Sequence, residues 1–90
     1  MTVASIVHIV DDDADVLASL VVLLESGGYR CAAHASGAAF LAALTKDAPA
    51  GCALVDVRMP GMDGLAILGQ LARLGLSLPC LLYTSDAADE

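Results

Sequence analysis

A parallel α/β sheet, doubly wound by helices on its two faces, is the fold class this sequence predicts. Three observations carry it. Short apolar runs of strand length alternate with segments of helical period. Two of those runs, residues 5–10 (Ser-Ile-Val-His-Ile-Val) and 52–55 (Cys-Ala-Leu-Val), are apolar almost throughout, the pattern of strands buried on both faces. Both runs end abruptly in carboxylates, at Asp11-Asp12-Asp13 and at Asp56. In an open parallel sheet, that end is where ligands bind.

The elements follow in chain order. After the first strand, residues 14–26 change period. Val16, Leu20, Leu23 and Leu24 stand at i, i+4, i+7 and i+8, which predicts one inward helical face, and Gly27-Gly28 stops the helix. Residues 29–34 form a weaker strand. Arg30 and His34 interrupt its apolar residues, as expected at a half-exposed or edge position. Ser36 caps a second helix running through Lys46, with Phe40, Leu41 and Leu44 inward. Residues 47–51 (Asp-Ala-Pro-Ala-Gly) are a turn. The third strand, 52–56, ends in Asp56, which the following Pro-Gly turn is expected to leave exposed. Asp63 or a neighbour caps a third helix, 64–74; Gly75 ends it, and Pro79 opens a fourth strand, 80–84. Strands alternating with helices imply right-handed crossovers and a parallel sheet.

Composition bounds the function. The 90 residues make one small domain, near the lower limit for burying a sufficient core. With 58% hydrophobic and 3% aromatic residues, that core must be aliphatic and rich in alanine. A net charge of −7 argues against a nucleic-acid-binding surface and suits a cation site or a basic partner patch. Cys31, Cys52 and Cys80 sit in strand-like runs without metal-ligand spacing, so they read as small reduced thiols of a cytoplasmic protein. No basic-then-apolar leader is visible at the start, and the apolar run at 16–24, interrupted by Ser19, is too short to span a bilayer.

In such a sheet the first and third strands lie side by side, which brings Asp11, Asp12 and Asp56 to one crevice. Three like charges there favour a hard divalent cation, and Mg²⁺ suits a few carboxylates plus water. A carboxylate beside such an ion is a competent nucleophile toward phosphorus. Asp56, alone at its strand end, is best placed for that role; adjacent Asp11 and Asp12 suit metal holding. From spacing alone, Asp11 and Asp12 read equally well as acids that favour the next helix's N-terminus. Asp13, Asp15 and Asp63 read as capping or solvated acids, His8 as a satisfied structural histidine, and Met59 and Met62 as loop packing.

Residues 7–13 (Val-His-Ile-Val-Asp-Asp-Asp) and 54–65 (Leu-Val-Asp-Val-Arg-Met-Pro-Gly-Met-Asp-Gly-Leu), in this β-α order, resemble the receiver domain of two-component response regulators. The first strand is most similar to the subgroup of transcriptional regulators with a C-terminal helix-turn-helix output domain. The resemblance implies a flavodoxin-like fold. It implies that Asp56 accepts a phosphoryl group from a sensor histidine kinase, and that Asp11, Asp12, Asp56 and the backbone carbonyl of Arg58 hold Mg²⁺. The domain is then a signalling module rather than an enzyme, apart from its own phosphorylation and dephosphorylation. DNA is reached only through an output domain absent from these residues. Homodimerisation on phosphorylation is possible in a longer parent, and no membrane is involved.

The chain departs from the family after its fourth strand. A fourth helix, a fifth strand ending in a phosphate-contacting Lys, and a fifth helix are missing, and there is no Lys after Lys46. The β-α-β-α-β-α-β order is therefore a truncated version of the doubly wound sheet. Residues 80–90 resemble an in-frame translation of a sequencing-library adapter, which implies a partial receiver at 1–79 and a non-native tail at 80–90. Three of the eleven acidic residues lie in that tail; without it, eight face four basic residues, for a charge of −4. Thr84 falls where the family carries a phosphorylation-reporting Thr or Ser, a positional match read as accidental. With a sheet edge and one face uncovered, the chain expressed alone is expected to be unstable or to aggregate; a cooperative thermal transition from a monomer would contradict this. A phosphatase of the haloacid dehalogenase type is the alternative, with Asp11 and Asp13 as its DxD pair. It leaves the motif from Asp56 to Gly64 unexplained.

Overall fold

The computed structural model describes residues 6–44 and 51–84. Its elements are β1 (Ile6–Val10), α1 (Ala14–Ser26), β2 (Arg30–His34), α2 (Gly37–Ala43), β3 (Cys52–Asp56), α3 (Gly64–Leu74) and β4 (Cys80–Tyr83). The four strands form one sheet in the order β2-β1-β3-β4, and every neighbouring pair is parallel. β2 is an edge strand, as its interrupted pattern predicts. Lys46 and residues 47–50 of the predicted turn lie outside the described residues.

Local chemistry sets the helix boundaries. Asp13 Oδ1 accepts the N–H groups of Asp15 and Val16, Ser36 Oγ that of Ala39, and Asp63 Oδ1 that of Ala66, so each helix starts on a side-chain cap. At the far end of α1 the two glycines divide the work. Gly27 is the C-cap, and Gly28 takes the left-handed conformation, φ 95°, that lets Tyr29 N–H reach back to the Leu24 carbonyl. Gly75, φ 73°, ends α3 by the same motif, with Leu76 N–H donating to the Leu71 carbonyl.

The main core lies on the α2–α3 side of the sheet. Val10, Phe40, Ala53, Val55, Met59, Ile67 and Leu71 are buried together, with Met62 packed against them. Met59 and Met62 are thus loop packing, as read from sequence. α1 covers the other side, against β1 and β2. Its half-buried residues are Val16, Leu17, Leu20, Val21 and Leu24, whereas Leu23 is 65% exposed. The inward placement of Leu23 is therefore corrected. At about 100° per residue it falls roughly 90° from the centre of the face those five define. Leu81 on the edge strand β4 is 64% exposed.

His8 is buried mid-strand, and its partner is one the sequence reading did not supply. His8 Nδ1 and His34 Nε2 lie 3.1 Å apart in a hydrogen bond, with the rings stacked at 5.3 Å. Phe40 packs its ring against both, at 5.4 and 5.3 Å. Burial lowers both histidine pKa values, and His8 lowers that of His34 further. The unfolded chain takes up these protons near pH 6.5, the folded chain only at lower pH. Stability is thus full above about pH 6.5 and is lost as pH falls through the lowered folded values, by at most about 1.4 kcal/mol per pH unit for each histidine. In the product of the uninterrupted gene, the urea midpoint of the receiver is expected to drop between pH 7.5 and 5.5, and His34→Gln to shrink that drop. An undiminished drop in the variant would assign the acid sensitivity to other groups.

The three cysteines are free and half-buried. Burial raises the thiol pKa values of Cys31 and Cys80, with Glu25 adding to the first and Cys52 to the second, so both stay protonated and unreactive near neutrality.

Candidate functional site

The C-terminal ends of β1 and β3 carry the site. Val10 pairs with Val55, so the residues that follow, Asp11 and Asp56, emerge side by side. Backbone bonds fasten both ends from the flanking strands. Asp11 N–H donates to the His34 carbonyl at the end of β2, and Val57 N–H to the Tyr83 carbonyl at the end of β4. One carboxylate oxygen each from Asp11, Asp12 and Asp56 then lies within 4.8 Å of the others. The sequence reading of these three as one constellation is what the geometry brings together.

Asp11 and Asp56 are buried, at 0% and 1% exposure, while Asp12 is exposed. The expectation of an exposed Asp56 is corrected. β3 is a central strand, so its end is walled by Asp11 on one side and Tyr83 on the other. Asp56 Oδ1 accepts the Arg58 N–H at 2.9 Å, which closes a tight turn directly after the strand. Asp11 Oδ1 accepts the Asp13 N–H in the same way. Asp13 itself is occupied as the cap of α1, which removes it from the crevice and from the DxD role of the phosphatase alternative.

A set of oxygen-only, closely spaced carboxylates fits a hard divalent cation such as Mg²⁺ and no thiolate- or imidazole-seeking metal. Asp11, Asp12 and Asp56 are the residues that would hold it. Thr84 stands one residue past β4 and is exposed.

Sequence reasoning missed Tyr83. Its hydroxyl donates to Asp11 Oδ2 at 2.7 Å. Burial first, then this hydrogen bond and the nearby carboxylates, raise its pKa far above the ordinary phenol value. The signal lay in register: Tyr83 pairs with Asp56 across β3 and β4, and a strand offset of that kind is not readable from residue pattern.

Fold and site together define a flavodoxin-like domain with an acidic pocket at its strand ends. The chain belongs to the response regulator receiver domain family, which matches residues 7–90. It is 44% identical over 79 residues to the transcriptional regulatory protein FixJ of Azorhizobium caulinodans, a match covering 87% of this chain and 36% of that protein. It is 39% identical over 84 residues to the C4-dicarboxylate transport transcriptional regulatory protein DctD of Rhizobium meliloti, covering 93% of this chain and 18% of that one. The crystal structure of FixJ-N superposes with a TM-score of 0.84 at 36% identity, covering 92% of this chain and 66% of that one. The chain thus spans well under half the length of these curated relatives. No helix among the described residues is long and apolar enough to cross a membrane.

Proposed function

We propose that Asp56 is the phosphoacceptor of this receiver and that its donor is the phosphohistidine of a sensor histidine kinase. The observation that carries the reading is the convergence of Asp11, Asp12 and Asp56 within 4.8 Å at the ends of two adjacent parallel strands. An Asp56 carboxylate oxygen attacks phosphorus in line. The new O–P bond forms as the N–P bond to the imidazole breaks, and the released histidine nitrogen takes a proton from solvent. The short turn bond from Arg58 N–H holds the Asp56 side chain for that attack. A bound Mg²⁺ supplies charge neutralisation for the phosphoryl oxygens. Asp11, Asp12, Asp56 and the Arg58 carbonyl are the ligands we assign to it. Thr84 keeps only its positional match.

The transcriptional relatives support an output through DNA by a domain outside these residues; a cytoplasmic location and phosphorylation-linked homodimerisation of a longer protein are part of the same proposal. We also retain the division into a partial receiver, 1–79, and an adapter-like tail, 80–90. Sequencing the uninterrupted gene past codon 79 tests that division. The function itself is tested by incubating the product of the uninterrupted gene with a small phosphodonor and Mg²⁺. One acid-stable, base-labile phosphoryl group per chain is expected, mapped to Asp56 and lost with a chelator. Failure to incorporate phosphate, or incorporation at another residue, sinks the reading.

A further inference from the structure

We propose that Gly64 is a positioning residue for Asp56: the main chain at the end of β3 packs against the bare Cα of Gly64, and that contact fixes where the Asp56 carboxylate stands in the pocket. The inference deepens the phosphoacceptor reading of Asp56 and rests on it.

Gly64 is the first residue of α3 and is buried. Its φ is not among the left-handed ones, so its own conformation does not call for glycine. Space does. A Cβ on Gly64 would stand 3.2 Å from the Asp56 carbonyl oxygen and 3.2 Å from Val57 Cα. Carbon atoms in ordinary contact lie about 3.5–4.0 Å apart, so something must yield by ~0.3 Å. A third neighbour, Leu82 Cδ2 at 3.2 Å, is the end of a side chain and can turn aside. The two main-chain atoms cannot. They flank the peptide that follows Asp56, and this peptide is held on both sides. Gly64 N–H donates to the Val57 carbonyl at 3.4 Å, and Arg58 N–H donates to Asp56 Oδ1 at 2.9 Å. A side chain at position 64 would therefore push on the Asp56 main chain. The carboxylate is 1% exposed and lies within 4.8 Å of those of Asp11 and Asp12, and a group packed that closely moves with its backbone. Gly69 supplies the contrast. It is exposed in the same helix, and among the described residues nothing outside its own turn lies within 4 Å of a Cβ placed there. Alanine suits a helix better than glycine at either position, so the two substitutions differ in the contact with Asp56 and Val57.

The test compares Gly64→Ala with Gly69→Ala, each in the product of the uninterrupted gene, by the rate of phosphoryl uptake from a small phosphodonor at saturating Mg²⁺. Gly69→Ala is expected to keep the unsubstituted rate. Gly64→Ala is expected to stay folded by far-UV circular dichroism and to label Asp56 roughly three- to tenfold more slowly, since misplacement by about 1 Å can cost ~100-fold. The loss should fall on the maximal rate and leave the half-saturating donor concentration in place, because the donor meets the pocket and not Gly64. Equal rates in the two variants, a loss confined to the half-saturating concentration, or an unfolded Gly64→Ala overturns the inference and leaves the phosphoacceptor reading standing. No label at Asp56 in the unsubstituted chain removes both.

Discussion

Asp56→Asn is expected to abolish covalent phosphorylation and, in the absence of divalent cation, to make the domain more stable. The two effects have one cause. The amide has no ionised oxygen, so no acyl phosphate forms, and incorporation from a small phosphodonor should fall to background. The pocket meanwhile holds two buried like charges, Asp11 and Asp56, among carboxylate oxygens within 4.8 Å of one another. At that separation the bare repulsion is about 3 kcal/mol for an effective dielectric near 20, and hydrogen bonds from Asp13, Arg58 and Tyr83 offset part of it. Removing one charge should therefore recover about 1–2 kcal/mol in a chelator, while weakening Mg²⁺ about tenfold, ~1.4 kcal/mol. The check is a pair of urea titrations of the product of the uninterrupted gene, with chelator and with Mg²⁺, beside the phosphorylation assay. A variant destabilised in both conditions would mean that Asp56 serves packing. That would remove the sign that this pocket trades stability for function.

How much of this was legible in the sequence depended on how local the cause was. The helix starts rest on side chains that cap their own next turn, Asp13, Ser36 and Asp63, and the stops rest on glycines next to the last turn. Such contacts span three or four residues, so residue type alone locates them. The crevice of Asp11, Asp12 and Asp56 was also readable, because strand order follows from β-α alternation and the acids sit at strand ends. What failed was set by neighbours distant in the chain. Asp56 is buried because its strand is central, with Asp11 on one side and Tyr83 on the other. His8 is satisfied by His34, 26 residues on, through a diagonal contact that parallel register creates. Leu23 is apolar at an allowed helical spacing, yet the sheet meets the arc centred on Leu20 and Leu24, and Leu23 lies at its margin. Periodicity finds a face but leaves its centre undetermined by tens of degrees when a helix is apolar over most of its circumference, as α1 is.

Phe40→Ala is expected to cost about 3–5 kcal/mol, the range for truncating a fully buried aromatic, and so to exceed the folding margin of a chain this small. Phe40 is the largest fully buried side chain among the described residues, in a chain with a single phenylalanine. It joins the main core to the His8–His34 pair and anchors a helix of only seven residues, too short to persist without tertiary contacts. Its loss leaves a cavity beneath two imidazoles and admits water to them. The surviving native population should then lose the lowered histidine pKa values, and with them most of the acid sensitivity between pH 7.5 and 5.5. In the product of the uninterrupted gene, far-UV circular dichroism at 25 °C should show no cooperative urea transition of the receiver in a chelator, whereas Phe40→Leu should retain one. The acidic pocket gives an independent handle. Cation binding to the folded state alone stabilises it by about 2.7 kcal/mol at a hundredfold excess over the dissociation constant. Mg²⁺ at that hundredfold excess should therefore restore part of the transition in Phe40→Ala, and add only about half as much, ~1.4 kcal/mol, to the double variant Phe40→Ala/Asp56→Asn, whose site is about tenfold weaker. Equal rescue of both would mean that the ion acts elsewhere than at Asp56, and a Phe40→Ala chain with an intact transition in chelator would place the weight of the core on Ile67 and Leu71 instead.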